Sequence, residues 1–222
     1  MNVLEQAREI ARRKYQNYQE KNDNFEQVET ILLEHLKTHA KDTDAWLLLT
    51  RIECNAPLYD YDRIAHYIGH VLSYDPTNAY ALLFLAYADY YLHGQIDADT
   101  YTRLCLAKND NSEIMAMIEV AKARYFESFN EKKYQEALEK SVHYSLKQRI
   151  NCSNLGILYF NQGKIQEGKD LIQQALKNVK EVFPSDNVTY DPTSIEGLLD
   201  EFYAGTIISE GAYAHLKSIV AE

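Results

Sequence analysis

The stretch that most constrains this chain is Cys152-Ser-Asn-Leu155-Gly156-Ile-Leu-Tyr159, continued by Gln162-Gly163-Lys-Ile165-Gln-Glu167-Gly168-Lys-Asp-Leu-Ile172-Gln-Gln-Ala175-Leu176. Leu155, Leu158 and Tyr159 recur at three and four residues, and so do Gly168, Leu171, Ile172 and Ala175. Such spacing puts each set on one face of its own helix. Gly163 marks a short turn, so the two helices must run antiparallel. Gly156 and Gly168 then face each other across that turn, where two backbones can approach closely. One such hairpin leaves apolar faces uncovered, so the rest of the chain is expected to supply more of them.

The arrangement resembles a tetratricopeptide (TPR) repeat. The resemblance rests on Cys152, Leu155-Gly156, Tyr159, Gly168, Ile172 and Ala175, with Cys152 standing where the family favours Trp. Trp46-x-x-Leu49 is a second fragment of the pattern, with Thr50 in place of Gly. Asp75-Pro76 ends a helix where the next repeat must begin, because proline cannot continue it. Tyr134-Gln-Glu136-Ala137-Leu138 matches again. The small positions of the second helices fall near Val28, Ile64, Tyr101, Ala137 and Gly168, at intervals of 36, 37, 36 and 31 residues. The resemblance therefore covers about residues 20 to 183. It implies an all-α, right-handed superhelix of antiparallel helix pairs over residues 1–183, with an acidic capping helix pair at 184–222 in the same continuous domain. Five pairs are expected, two of them irregular, the third degenerate because Asp89 replaces an aromatic.

Boundaries follow from local signals. A first helix is expected from Asn2 to about Glu20, with Asn22-Asp-Asn24 as a turn. Later starts are expected at Asp42 or Thr43, at Thr77 or Asn78 and at Ser112, with stops at Gly94 and near Ser128. Ser185 to Tyr190 reads as a linker. Asp191-Pro192 reads as N-cap and first-turn proline of a helix through Phe202, ended by Gly205, and a last helix spans Ser209 to Val220.

Charge narrows the partners. The net charge is -10, and residues 42–111 carry four basic against ten acidic side chains, residues 184–222 one against seven. Nucleic-acid binding through phosphates is not expected, and a basic protein partner is favoured. No apolar run approaches the roughly 20 residues of a membrane span. The N-terminal Glu5, Arg8, Glu9, Arg12, Arg13 and Lys14 do not make a secretory signal. Cys54, Cys105 and Cys152 are odd in number and lack CxxC spacing, against a disulfide frame or zinc site. A cytoplasmic protein without cofactor is the expectation.

Catalytic signatures are absent: no GxSxG, HExxH, P-loop or GxGxxG occurs. Asp62, His66 and His70 share a helix face that could hold a metal, and His35 with His39 repeats the spacing. Solvated histidines near helix ends are the commoner case, and a further ligand is not evident. Cys54 reads as a buried helical cysteine.

The 18 tyrosines are more informative. On the family's register first helices line a concave groove, which would here carry Tyr80, Leu83, Tyr87, Tyr90 and Tyr91. It would continue with Lys122, Phe126 and Phe129, then Ser153, Asn154, Ile157 and Phe160. Tyrosine offers large contact area with a polar tip, which suits binding surfaces. Asp44 and Tyr80 stand where a clamp for acidic C-terminal peptides would begin, so that activity is not implied. The chain is thus expected to bind a protein without catalysis, through the groove or through Asp200 and Glu201 on the acidic helices. An immunity protein masking a basic nuclease-type toxin, a secretion chaperone, a general adaptor and a peptide-sensing regulator are the candidates, with a metal-dependent enzyme as the rival class. Tyr87→Ala and Phe126→Ala should weaken a groove complex, while Asp97, Asp99, Asp200 and Glu201 should act on association rate. Gly168→Leu should overpack the helix contact, and Gly168→Ala should be mild.

Overall fold

The computed structural model describes residues 2–55, 58–179 and 191–221. Every regular element among them is helical. In chain order these are α1 (Val3–Ala11), α2 (Tyr18–Thr38), α3 (Thr43–Glu53), α4 (Tyr61–Tyr74), α5 (Ala79–His93), α6 (Ala98–Leu104), α7 (Ser112–Phe126), α8 (Glu131–Tyr144), α9 (Arg149–Asn161) and α10 (Ile165–Asn178). After residues 180–190, where the expected linker lies outside the described residues, come α11 (Ile195–Leu199), a π-helical turn over Asp200–Ala204, and α12 (Glu210–Ala221). Along the chain α1 packs on α2, α3 on α4, α5 on α6, α7 on α8 and α9 on α10.

Capping explains the starts. Asn2, Asn17, Asp42, Asp60, Asn78, Asp97, Asn111 and Asn130 each accept a hydrogen bond from a first-turn N–H of the helix that follows. These side chains satisfy donors that a helix cannot satisfy internally. Gly94 and Gly163, at φ 71° and 83°, close α5 and the α9–α10 turn in the left-handed region that glycine alone enters freely.

Three boundaries differ from the sequence reading. The first helix stops at Ala11, and α2 runs through Asn22-Asp-Asn24 without a turn. The cause is capping of α2: Asn17 accepts from Glu20 N at 2.9 Å, and the Glu20 carboxylate reaches back to accept from Gln16 N at 2.7 Å. Downstream, Asp191 does not cap a helix at Pro192. Its Oδ1 accepts from Thr193 N (2.9 Å) and Thr193 Oγ1 (2.7 Å). Asp75 receives Thr77 in the same way after α4. Helix α11 starts later, with Ser194 Oγ accepting from Gly197 N at 2.9 Å.

By compactness the chain divides into two units, Met1–Ala107 with Tyr190–Leu198, and Lys108–Thr189 with Leu199–Glu222. In the first, Val28, Leu32, Leu48, Leu49, Ile52, Ile64, Ile68, Leu82 and Phe84 are fully buried. Thr50, in the place of a family glycine, is buried because its hydroxyl donates to Trp46 O at 2.9 Å. Asp89, in the place of an aromatic, accepts from Asp97 N and so ties the end of α5 to the start of α6.

In the second unit one core joins Ala123, Ala137, Leu138 and Leu155, with Tyr134, Tyr159 and Leu171 around it. A buried polar chain runs through it: Asn151 Nδ2 donates to Ser141 Oγ (3.0 Å), which donates to Ala116 O (2.8 Å). Gly156 and Gly168 do face each other. A Cβ on Gly156 would lie 2.9 Å from Gly168 O, and one on Gly168 would lie 2.7 Å from both Gly156 O and Phe160 N. Even alanine therefore strains this contact, contrary to the mild effect expected from the family pattern.

Candidate protein-interaction surface

In the first unit the α4 and α5 tyrosines form a ladder. Tyr61 and Tyr91 stack with centroids 5.1 Å apart at 3°, Tyr87 lies 4.7 Å from Tyr91 and 6.0 Å from Tyr61, and Tyr90 meets Tyr91 edge-on at 5.8 Å. The exposed end of the ladder is Tyr91, at 49%, with Tyr90 and Leu92. Tyr87 is only 5% exposed. Burial pushes its hydroxyl well above the ordinary phenol range, so it supports the ladder from below. Leu83 is likewise buried. Tyr59, exposed and held at φ 43°, precedes Asp60 and the exposed Asp62, which adds carboxylates to the turn that carries Tyr61. Tyr80 is half-buried, and burial, then the charge of Glu196, raises its hydroxyl.

A buried charge group in this unit was not evident from sequence. Glu53 is 1% exposed, with Arg63 at 3.2 Å. That guanidinium also pairs with Glu29 and donates to the Tyr67 hydroxyl at 3.0 Å. Shared in this way, it does not offset burial, which together with nearby Asp60 pushes the Glu53 carboxyl from 4.5 up to about 7. The folded state therefore binds this proton more tightly than the unfolded state. The resulting stabilisation is complete below about pH 4.5 and is lost as pH rises through about 7. Glu53→Gln is expected to remove that slope and to stabilise the protein at pH 8 by about 1–2 kcal/mol, because the buried charge is gone and Arg63 keeps Glu29. Urea unfolding of parent and variant at pH 5 and pH 8 checks it; parallel pH dependences would contradict it.

In the second unit, Lys122 pairs with Glu119 at 2.7 Å. Phe126 is buried beneath Tyr125 and Phe129, with Lys133 Nζ 5.2 Å from its ring. Phe129 is 62% exposed. Asn154 bonds the Tyr134 hydroxyl, which burial and then Glu127 push up to about 12. Ser153 is buried, and Ile157 with Phe160 packs on a core of Ile172, Ile208, Leu216 and Ile219. The C-terminal residues thus cover this part of α9. Asp200 and Glu201 sit half-buried in the π-helical turn.

The C-terminal segment is held through its main chain. In the first unit Arg51 donates to Ser194 O (2.7 Å) and Asp191 O (3.1 Å), and Asn55 donates to Pro192 O (3.1 Å). Arg12 grips the Asp191 carboxylate at 2.6 Å. Burial alone would raise that carboxyl, but the hydrogen bonds from Arg12 and Thr193 outweigh it and hold it down at about 2. In the second unit Arg124 donates to Phe202 O (2.9 Å) with its guanidinium 4.1 Å from the Phe202 ring centroid, and Arg149 donates to Gly205 O (2.9 Å). Side-chain periodicity carries no trace of such contacts.

The histidines stack on neighbouring rings, while Asp62, His66 and His39 stay exposed. His70 stacks on Trp46 with centroids 4.1 Å apart at 7°, and His66 meets His70 edge-on. Burial, then His66, lowers the His70 proton affinity. His35 stacks on His39 and pairs with Asp42 at 2.8 Å. Among the described residues no three His, Cys, Asp or Glu side chains converge as metal ligands. Cys54 and Cys152 are buried, and burial pushes both thiols up to about 12, which disfavours a thiolate nucleophile. No helix among the described residues is long and apolar enough to cross a membrane.

No protein-family model and no curated protein matches the sequence. Solved structures do match the fold. One crystal structure of MamA, a TPR-like protein, superposes with a TM-score of 0.56 at 18% identity, covering 74% of this chain and 96% of that one. A second, also at 0.56, has 16% identity and covers 79% and 91%. The chain thus shares the helical fold of these TPR-like structures.

Proposed function

We propose that this chain is a non-catalytic protein-interaction scaffold, and that its partner is a basic protein docking on the exposed edge of the tyrosine ladder. The observation that carries the reading is the exposure of Tyr59, Tyr90, Tyr91 and Leu92 on a unit where Asp60 and Asp62 add negative charge. Rigid aromatic rings with polar tips supply anchor contacts, and the surrounding carboxylates steer a basic partner. The TPR-like fold supports an interaction role, and no metal-ligand cluster is found among the described residues. Within this class the reading favoured by the acidity is an immunity protein that masks a basic, nuclease-type toxin; a secretion chaperone or adaptor shares the same surface chemistry. Co-expression with the basic product of a neighbouring reading frame tests it. The complex should form faster at low salt and protect the host, whereas binding that is indifferent to salt and to Asp62→Asn removes the basic partner.

A further inference from the structure

The second binding feature of this molecule is one it already uses on itself. On the α7 and α9 side of the second unit, Arg124 and Arg149 donate to the carbonyls of Phe202 and Gly205, and Arg124 stacks on the Phe202 ring. Tyr203 is wholly buried there, and its ring lies 5.3 Å from the same guanidinium. A side chain that donates to a carbonyl reads backbone, and an arginine plane stacks on any aromatic ring. Arginine clusters are also a recurring means of recognising acidic motifs in separate peptides.

The occupant is chemically matched to the face. Between Lys180 and Lys217 the chain has no lysine or arginine, and Asp200-Glu201 directly precedes the Phe202-Tyr203 pair. Its backbone also adapts to the face. Hydrogen bonding widens to the π pattern over Asp200–Ala204 and closes at Gly205, φ 67°. Such turns are less favourable than α-helix and recur at functional positions. In the other unit the same chemistry holds residues 191–194 through Arg51 and Asn55.

We infer that the α7/α9 face is a docking groove for an acidic, aromatic segment, filled in this chain by its own residues 199–208 as a displaceable self-ligand. This surface is independent of the tyrosine ladder. A self-occupied groove binds an added ligand weakly, because the apparent affinity falls with the fraction of molecules that are open.

The test uses the full chain and a fluorescent synthetic peptide of residues 199–210. Gly205→Val should dislodge the segment: its Cβ would meet Arg149 Nη2 and Ile150 Cγ1, each at 2.6 Å, at a φ that branched residues avoid. The variant should keep its helical signal and bind the peptide about tenfold or more tighter than the parent does. Adding Arg149→Ala should abolish the gain. If Gly205→Val does not fold, Phe202→Ala, which removes the ring from Arg124, decides by the same readout. Peptide affinity unchanged from the parent in the folded variant, or a gain that survives Arg149→Ala, overturns the inference and makes residues 199–208 a permanent cap.

Discussion

Gly168→Leu is expected to destabilise the protein by about 3 kcal/mol or more, above the usual range for overpacking, because the obstruction is backbone. The first atom of any side chain at this position already meets Gly156 O and Phe160 N at 2.7 Å. Helix α9 cannot yield to it by a rotamer change; it must move away from α10, with loss of the Ile172 contact beside Gly156. Gly168→Ala should cost about 1–2 kcal/mol, with the strain partly offset by the roughly 1 kcal/mol helix preference of alanine over glycine. Urea unfolding followed by circular dichroism measures both. A leucine variant as stable as the parent would mean that the two glycines are not in contact.

The second large effect is on binding. Tyr90→Ala with Tyr91→Ala should weaken the partner complex by about thirtyfold or more, since truncating an anchor aromatic typically removes at least about 2 kcal/mol. Tyr87→Ala and Phe126→Ala, natural choices from the sequence alone, are poor probes of binding. Both rings are buried, so their removal leaves cavities that cost stability on their own account. Asp62→Asn should act differently, slowing association with an effect that fades in salt. Loss of affinity on Asp62→Asn at high salt, with none from the tyrosine pair, would move the site to the charged turn.

The helix pairs were legible because small residues and apolar residues recur at intervals that only paired helices satisfy. Gly156 facing Gly168, the Asn78 start, the Gly94 stop and the Asp75-Pro76 break all come from short-range rules that a sequence displays. The Asn17 cap, with Glu20 three residues on, was equally present in the sequence and ends the expectation of one helix to Glu20. What was not legible is non-local. Arg51, Arg124 and Arg149 hold the main chain of residues more than fifty positions away, and a carbonyl has no signature in the sequence. The packing of Ile157 beneath Ile208 and Leu216 depends on the same long-range closure, whereas Glu53 meets Arg63 across two consecutive helices whose side chains carry no sign of the pairing in sequence.

The central claim, that a basic protein docks on the exposed tyrosine edge, is tested most directly by affinity capture from the native host. Parent and Tyr90→Ala/Tyr91→Ala chains, matched in helical signal, are immobilised side by side, and bound proteins are quantified by mass spectrometry. The account predicts one basic protein enriched on the parent by about tenfold or more over the variant, and released by salt. Equal capture by both chains, or enrichment of acidic proteins only, would contradict it.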